Sequence, residues 1–252
     1  MAIDEAIMQA VAEKKSPPTL RFYGWRPPCV SVGYAQSLRD EIDLDTCRRR
    51  GYNWVRRPTG GRAVLHIDDL TYSVTAPQGE SRVAGDIITS YQRLSLGLVV
   101  GLRSLGCDVI QADLIHTDSS NKSAVCFEVP SHYEVTALER KLVGSAQIRR
   151  KGVVLQHGAL PLKGDVSRLA EVLALPRRDR ERLQGKLRQR AIALDEALGR
   201  TMHYSEVADA LKKGFSEALN LDLEPGVLSI EEEAAADCLR SLYTGDEWTY
   251  SK

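Results

Sequence analysis

The chain has 252 residues, 34 basic and 34 acidic, for a formal net charge of zero; this gives no global electrostatic reason to bind nucleic acid or an anionic membrane. Hydrophobic residues make up 43% without a long apolar run, which is ample for a core and argues against a membrane span. Five cysteines (Cys29, Cys47, Cys107, Cys126 and Cys238) show no CxxC spacing, so the expectation is reduced thiols in a cytoplasmic protein, with no disulfide framework and no metal site. Met1 to Glu5 carries acids where a secretory signal would carry bases, so no signal peptide is expected.

The chain opens on Ile3, Ala6, Ile7, Ala10 and Val11, the spacing of an amphipathic helix, which Pro17-Pro18 stops. Thr19 to Trp25 alternates like a strand, and Cys29 to Tyr34 predicts a second. Ile42 to Arg50 reads as a helix whose last turn, Arg48-Arg49-Arg50, suits the negative end of the macrodipole. Leu70 to Thr75 predicts a strand ended by Pro77. Ile87, Ile88, Tyr91, Leu94, Leu98, Leu102 and Leu105 mark the longest helix, closed by Gly106. A strand begins at Val109-Ile110, and polar Thr117 to Lys122 reads as a loop leading to Cys126. Short strands are expected at Val125–Val129, Tyr133–Thr136, Lys141–Val143 and Val153–Leu155, with a turn through Gly144 and Arg149-Arg150-Lys151. Past Asp165 the chain turns helical. Arg177 to Arg190 is a charged helical face or hinge, Val207 to Leu219 is amphipathic, and Ser229 with Glu232 has capping-box spacing before a last helix. Short strands without strict strand–helix alternation favour an α+β fold: a mixed, largely antiparallel sheet packed with helices. The expected division is one domain over residues 1–228 and a helical tail over 229–252.

Three places concentrate chemistry. In Arg56-Arg57-Pro58-Thr59-Gly60-Gly61-Arg62-Ala63-Val64-Leu65-His66 a glycine pair joins two strand-like runs. Gly60 and Gly61 remove two Cβ atoms, so a ligand can approach the backbone, and Arg57, Arg62 and His66 crowd polar groups around the turn. Lys141-Leu142-Val143-Gly144-Ser145-Ala146-Gln147 places a lysine on a strand before Gly144, Ser145 and Ala146, whose small side chains leave a slot for an alkyl chain or a thioester carbonyl. Gln156-His157-Gly158 belongs on the neighbouring strand, where His157 reads equally as a structural or a site histidine. Cys126, in Ser123-Ala124-Val125-Cys126-Phe127-Glu128, is by residue type either a core residue or a nucleophile; as a nucleophile it needs a nearby cation or base.

These pieces, in this order, resemble the motifs of the lipoate–protein ligase, octanoyltransferase and biotin ligase superfamily, and the Cys126 piece brings the likeness nearest to its LipM-type octanoyltransferases. The resemblance runs from about Ala2 to the mid-220s. It implies the lipoate/biotin ligase catalytic fold, with a strand ahead of the first helix that has no counterpart here: a trimmed start, or a sheet lacking one edge strand. It further implies that Cys126 takes an acyl group with help from Lys141. Arg57, Gly60, Gly61, Arg62, His66, Gly144, Ser145, Ala146, His157 and Gly158 then become substrate-binding candidates. The implied reaction transfers octanoyl from octanoyl-acyl carrier protein through a Cys126 thioester to a lysine of a lipoyl-domain protein, the glycine cleavage H protein being the acceptor expected. No cofactor is needed, because the thioester is already activated. Competing readings are an ATP-dependent lipoate–protein ligase, an octanoyl amidotransferase acting between lipoyl domains, and a non-catalytic acyl- or carrier-binding module.

Overall fold

Apolar residues on one face of the first segment make it a helix, and the sheet that this helix covers organises the rest. The computed structural model describes residues 1–112 and 134–252. Helix α1 (Ala2–Ala12) is followed by β1 (Thr19–Tyr23), β2 (Cys29–Val32), a short α2 (Leu38–Glu41) and α3 (Leu44–Arg50). Asp43 caps α3 by accepting from the Thr46 N–H, and Gly51 closes it at φ 70°. Then come β3 (Asn53–Arg56), β4 (Val64–His66), β5 (Asp69–Pro77), α4 (Ile87–Ser104) and β6 (Val109–Ala112). The second stretch holds β7 (Glu134–Ala137), β8 (Arg140–Arg150), β9 (Val153–Pro161) and a 3-10 segment (Val166–Val172). Five helices complete it: α5 (Arg177–Arg190), α6 (Leu194–Leu198), α7 (Tyr204–Leu219), α8 (Ile230–Thr244) and α9 (Asp246–Thr249).

Six strands form one sheet in the order β1-β5-β9-β8-β7-β6, every neighbouring pair antiparallel. A second sheet, β3-β2-β4, pairs β2 parallel with β3 and antiparallel with β4. The α+β architecture with a mixed, largely antiparallel sheet is therefore the one expected. Period-two alternation sorts the side chains of the large sheet. Leu70 and Tyr72 of β5, Val154 and Leu160 of β9, and Leu142 and Val143 of β8 join Leu94, Leu98 and Leu102 of α4 and Leu211 and Phe215 of α7 in the main core. On the opposite face Val153 and Leu155 meet Ile7, Met8 and Val11 of α1. A further core packs β2 and α3 on the 3-10 segment and α5, so Leu183 and Leu187 are buried within an otherwise charged helix.

Helix α8 opens with the expected capping box between Ser229 and Glu232. It lies against α1, where the Tyr243 hydroxyl donates to Glu5 and Ser16 Oγ donates to Glu232 Oε1 at 2.7 Å. Among the described residues no helix is long and apolar enough to cross a membrane.

One expectation needs correcting. Lys141–Val143 and Val153–Leu155 were expected as short strands with a turn through Gly144 and Arg149-Arg150-Lys151; only the Lys151 end of that turn is present, as β8 runs unbroken to Arg150 and β9 to Pro161. The turn is at Lys151 and Gly152, both at positive φ. Gly144 sits in mid-strand opposite Ala159, and Ser145 opposite Gly158. Glycine at 158 answers to a close approach: a Cβ on Gly158 would lie 2.4 Å from Ser145 Oγ and 2.8 Å from the Gly144 carbonyl.

Candidate active site

The glycine-pair loop is latched to β2 before any ligand is considered. Arg57 N–H donates to the Val32 carbonyl at 3.0 Å, and Tyr34 N–H to the Thr59 carbonyl at 2.9 Å. A Cβ on Gly33 would stand 2.0 Å from the Gly61 carbonyl oxygen, so only glycine lets the loop seat, while Gly61 itself takes φ 88°. Arg57 wires the turn from within: Nη2 donates to the Gly60 and Arg62 carbonyls at 2.9 and 2.8 Å, and Nη1 to Ser31 O at 3.0 Å and Ser31 Oγ at 3.2 Å. Arg56 is fully buried, and its Nη1 donates to the carbonyls of Gly33, Tyr34 and Gln36. Its Nε donates to the Trp248 carbonyl at 3.2 Å, and Trp248 Nε1 returns a bond to the Arg56 carbonyl at 2.9 Å. Arg62 turns outward, with Nη1 4.0 Å from Glu41 Oε2.

Where the two sheets meet, the loop, β4 and β2 face β8 and β9 across a pocket of about 30 Å³. Of the residues singled out by sequence, Arg57, His66, Gly144, Ser145, Ala146, His157 and Gly158 line this pocket. Gly60, Gly61 and Arg62 lie in the loop behind it. Lys141 is buried on β8 three positions before Gly144, is not among the lining residues, and donates its Nζ proton to the Glu134 carboxylate. Cys126 and its motif lie outside the described residues.

Two buried histidines oppose each other here. His66 accepts the Ser31 hydroxyl at Nε2 (2.9 Å) and presents Nδ1 to Asp69 Oδ2 (2.9 Å). A carboxylate at Nδ1 places the proton on that nitrogen and leaves Nε2 as the acceptor. Asp69 also accepts from Thr71 Oγ1 at 2.9 Å, Thr71 receives the Trp25 indole N–H at 2.9 Å, and the Trp25 ring stacks on His66 with centroids 4.3 Å apart. His157 is bound through Nε2 to Thr59 Oγ1 at 2.6 Å, while its Nδ1 has no hydrogen-bond partner and faces Asp4 Oδ2 at 4.0 Å. Burial pushes the His157 imidazole pKa down, and the Asp4 carboxylate only partly restores it. Burial disfavours the Asp4 carboxylate as well, but His157, the Met1 ammonium and Arg21 outweigh that and hold it well below the usual range. Asp4 also accepts from Tyr23 and Ser73, each at 2.8 Å.

Several of these groups carried no motif. Asp4 could have been found, because it shares the buried face of α1 with Ile7, Met8 and Val11. Ser31, flanked by Val30 and Val32, reads as a solvent-facing strand position; β2 is buried on both faces, so it is not one. Thr59 and Glu134 gave no signal beyond polarity. The thiols in the described residues are poor nucleophiles where they are buried: burial pushes Cys29 up to about 12 and Cys47 to about 11, and raises Cys107.

Residues 1–216 match the lipoyl protein ligase A/B catalytic domain. An octanoyltransferase LipM from Kyrpidia tusciae is 45% identical over 100% of this chain and 94% of its own length. The octanoyltransferase LipM of Bacillus subtilis is 39% identical over 100% and 93%. The crystal structure of lipoate-protein ligase A bound with ATP superposes with a TM-score of 0.81 at 30% identity, covering 99% of this chain and 92% of that one. A bi-partite lipoate protein ligase from Thermoplasma acidophilum, studied with its E2 lipoyl domain, gives 0.82 at 29% identity, covering 99% and 89%.

Proposed function

Since the chain belongs to the lipoyl protein ligase A/B catalytic-domain family and is an acyltransferase, we propose that it moves an octanoyl group in lipoate biosynthesis, from octanoyl-acyl carrier protein to a lysine of a lipoyl-domain protein, by way of a thioester on Cys126. The observation that carries this reading is the slot itself: Gly144, Ala146 and Gly158, with little or no side chain, wall the pocket, and the strand that supplies two of them also carries Lys141. Cys126 attacks the donor thioester as thiolate, the carrier's thiolate leaves, and the acyl group rests on the enzyme. The acceptor lysine amine then attacks that carbonyl and forms the amide. Lys141 supplies the cation that favours the Cys126 thiolate, with Glu134 holding its ammonium in place. Arg57 and the glycine turn shape the loop wall, and His66 and His157 close the pocket from either side.

The test is the intact mass of the protein after incubation with octanoyl-acyl carrier protein and no ATP. One octanoyl adduct is expected, released by neutral hydroxylamine, absent from Cys126→Ala, and discharged by a lipoyl domain. An adduct that forms only on the acceptor, only with octanoate and ATP, would overturn this reading in favour of the ligase.

A further inference from the structure

Ser31, His66 and Asp69 form a hydrogen-bonded series on the pocket wall that the reaction above leaves unused. Its direction is set by the groups at its ends. Arg57 can only donate, so Ser31 Oγ accepts from Nη1 at 3.2 Å. The carboxylate of Asp69 can only accept, so His66 carries its proton on Nδ1. The Ser31 hydroxyl must then donate to His66 Nε2 across 2.9 Å. Ser31 keeps a second lone pair, and Ser31 and His66 both line the pocket. The Trp25 stack and the Thr71 bond to Asp69 fix the imidazole plane, so no reorganisation is needed when it takes a proton. Such an arrangement matches the orientation and stabilisation that an aspartate gives a general-base histidine through a hydroxyl. Among the described residues, the charged groups around the imidazole are Asp69 on β5, Arg57 on the loop and the Met1 amine, which lines the same pocket; Cys29, opposite His66 in the β2–β4 pairing, is a buried neutral thiol.

We propose that this series is the proton relay for the acceptor lysine in the second step, an assignment that rests on the acyl-transfer reading above. The amine nitrogen bonds to the acyl carbon. Its proton passes to Ser31 Oγ while the Ser31 proton moves to His66 Nε2. The carbon–sulfur bond breaks and Cys126 leaves as thiolate. The imidazolium, held against Asp69, then gives its proton to solvent. Ser31 touches the amine, and Asp69 acts only by positioning His66.

The two half-reactions separate the relay from a structural role. Acylation is followed by mass on rapid quench without acceptor; transfer is followed by mixing the acyl-enzyme with a lipoyl domain. Asp69→Asn presents an amide N–H to Nδ1 and moves the imidazole proton to Nε2, where it blocks the relay. Transfer is expected to fall by about 10²-fold or more in Asp69→Asn, Ser31→Ala and His66→Gly, and in Asp69→Asn, which leaves the pocket lining in place, acylation should stay within about threefold of wild type. Added imidazole should restore part of the transfer rate in His66→Gly and none in Asp69→Asn. Transfer at the wild-type rate in Asp69→Asn overturns the relay, and so does an equal loss in both half-reactions without imidazole rescue. If the wild-type enzyme forms no Cys126 thioester, the covalent route is what fails. The relay is then judged by the same variants in the amide-forming step from whichever donor the enzyme accepts.

Discussion

His66 and His157 face one pocket from opposite walls, and their surroundings differ in one respect that decides what each can do. His66 has a carboxylate at one nitrogen and a hydroxyl at the other, both at 2.9 Å. A proton arriving at Nε2 is balanced at once by Asp69. His157 has a hydroxyl at 2.6 Å on Nε2, a bare Nδ1, and its carboxylate 4.0 Å away, already engaged by Tyr23 and Ser73. Burial then wins, and the ring is held neutral. Two histidines of similar exposure, 6% and 5%, thus differ in the groups that hold their two nitrogens. The separation is made by about 1 Å in the distance to an aspartate.

The largest effect is expected where both walls hang on one contact. The Gly33 Cα supports the Gly61 carbonyl, and the turn behind it carries both Thr59, which binds His157, and Arg57, which binds Ser31. In Gly33→Ala the new Cβ meets that carbonyl at 2.0 Å, backbone against backbone, so no rotamer change relieves it. A loss of about 3 kcal/mol is expected, at the upper end of overpacking costs, or roughly 6 to 12 °C in melting temperature for a chain of this size. Octanoyl transfer should fall with it. Thermal denaturation and the transfer assay check both, and wild-type values in each would show that the loop seats without this contact.

Thr59→Val breaks only one side. Valine fills the same volume but cannot bond His157 Nε2, which leaves a buried imidazole without a hydrogen-bond partner at either nitrogen. The cost of such a group is about 1–3 kcal/mol. Urea denaturation should register that loss, while the Ser31–His66–Asp69 series and the imidazole rescue of His66→Gly stay as they are. A Thr59→Val protein that also loses acceptor transfer by 10²-fold would mean the two walls are coupled and the contrast drawn here is too sharp.

The sequence carried the fold further than it carried this contrast. The spacing from Ile87 to Leu105 marks α4 because a helix between a sheet and another helix must repeat its apolar residues at 3.6. Residues 57, 66, 144–146, 157 and 158, which line the pocket, stood out in the sequence because arginine, glycine, small residues and histidine cluster there without need in a plain turn. Gly144 was misread as a turn because a glycine in mid-strand, paired with Ala159, looks in one dimension like one needed for its dihedral angles. Asp69, Ser31, Thr59 and Asp4 tell the two histidines apart, and they come from β5, β2, the loop and α1. Their pairing is a product of register, such as Ser73 opposite His157 and Cys29 opposite His66, which no local pattern encodes. Cys126 and its motif lie outside the described residues, so its role rests on the resemblance and on the unsuitability of the buried thiols.

The smallest effect sharpens the contrast by titration. His157 has a folded pKa below its ordinary 6.5, with burial the largest cause and Asp4 acting against it. The unfolded chain therefore takes up a proton at a higher pH than the folded one does. In the window between those two values unfolding is proton-linked, and stability rises with pH. The contribution of His157 is fully present above about 6.5 and is lost as the pH falls through that window toward the folded value. For one group the slope cannot exceed about 1.4 kcal/mol per pH unit. Asp4 acts in the same direction but only below its ordinary 3.8, so the two windows do not merge in mild acid. Urea midpoints between pH 7.5 and 5 should fall more steeply for wild type than for His157→Gln, so any advantage of wild type at pH 7.5 narrows toward pH 5. Parallel curves would mean that His157 is not the neutral member of the pair.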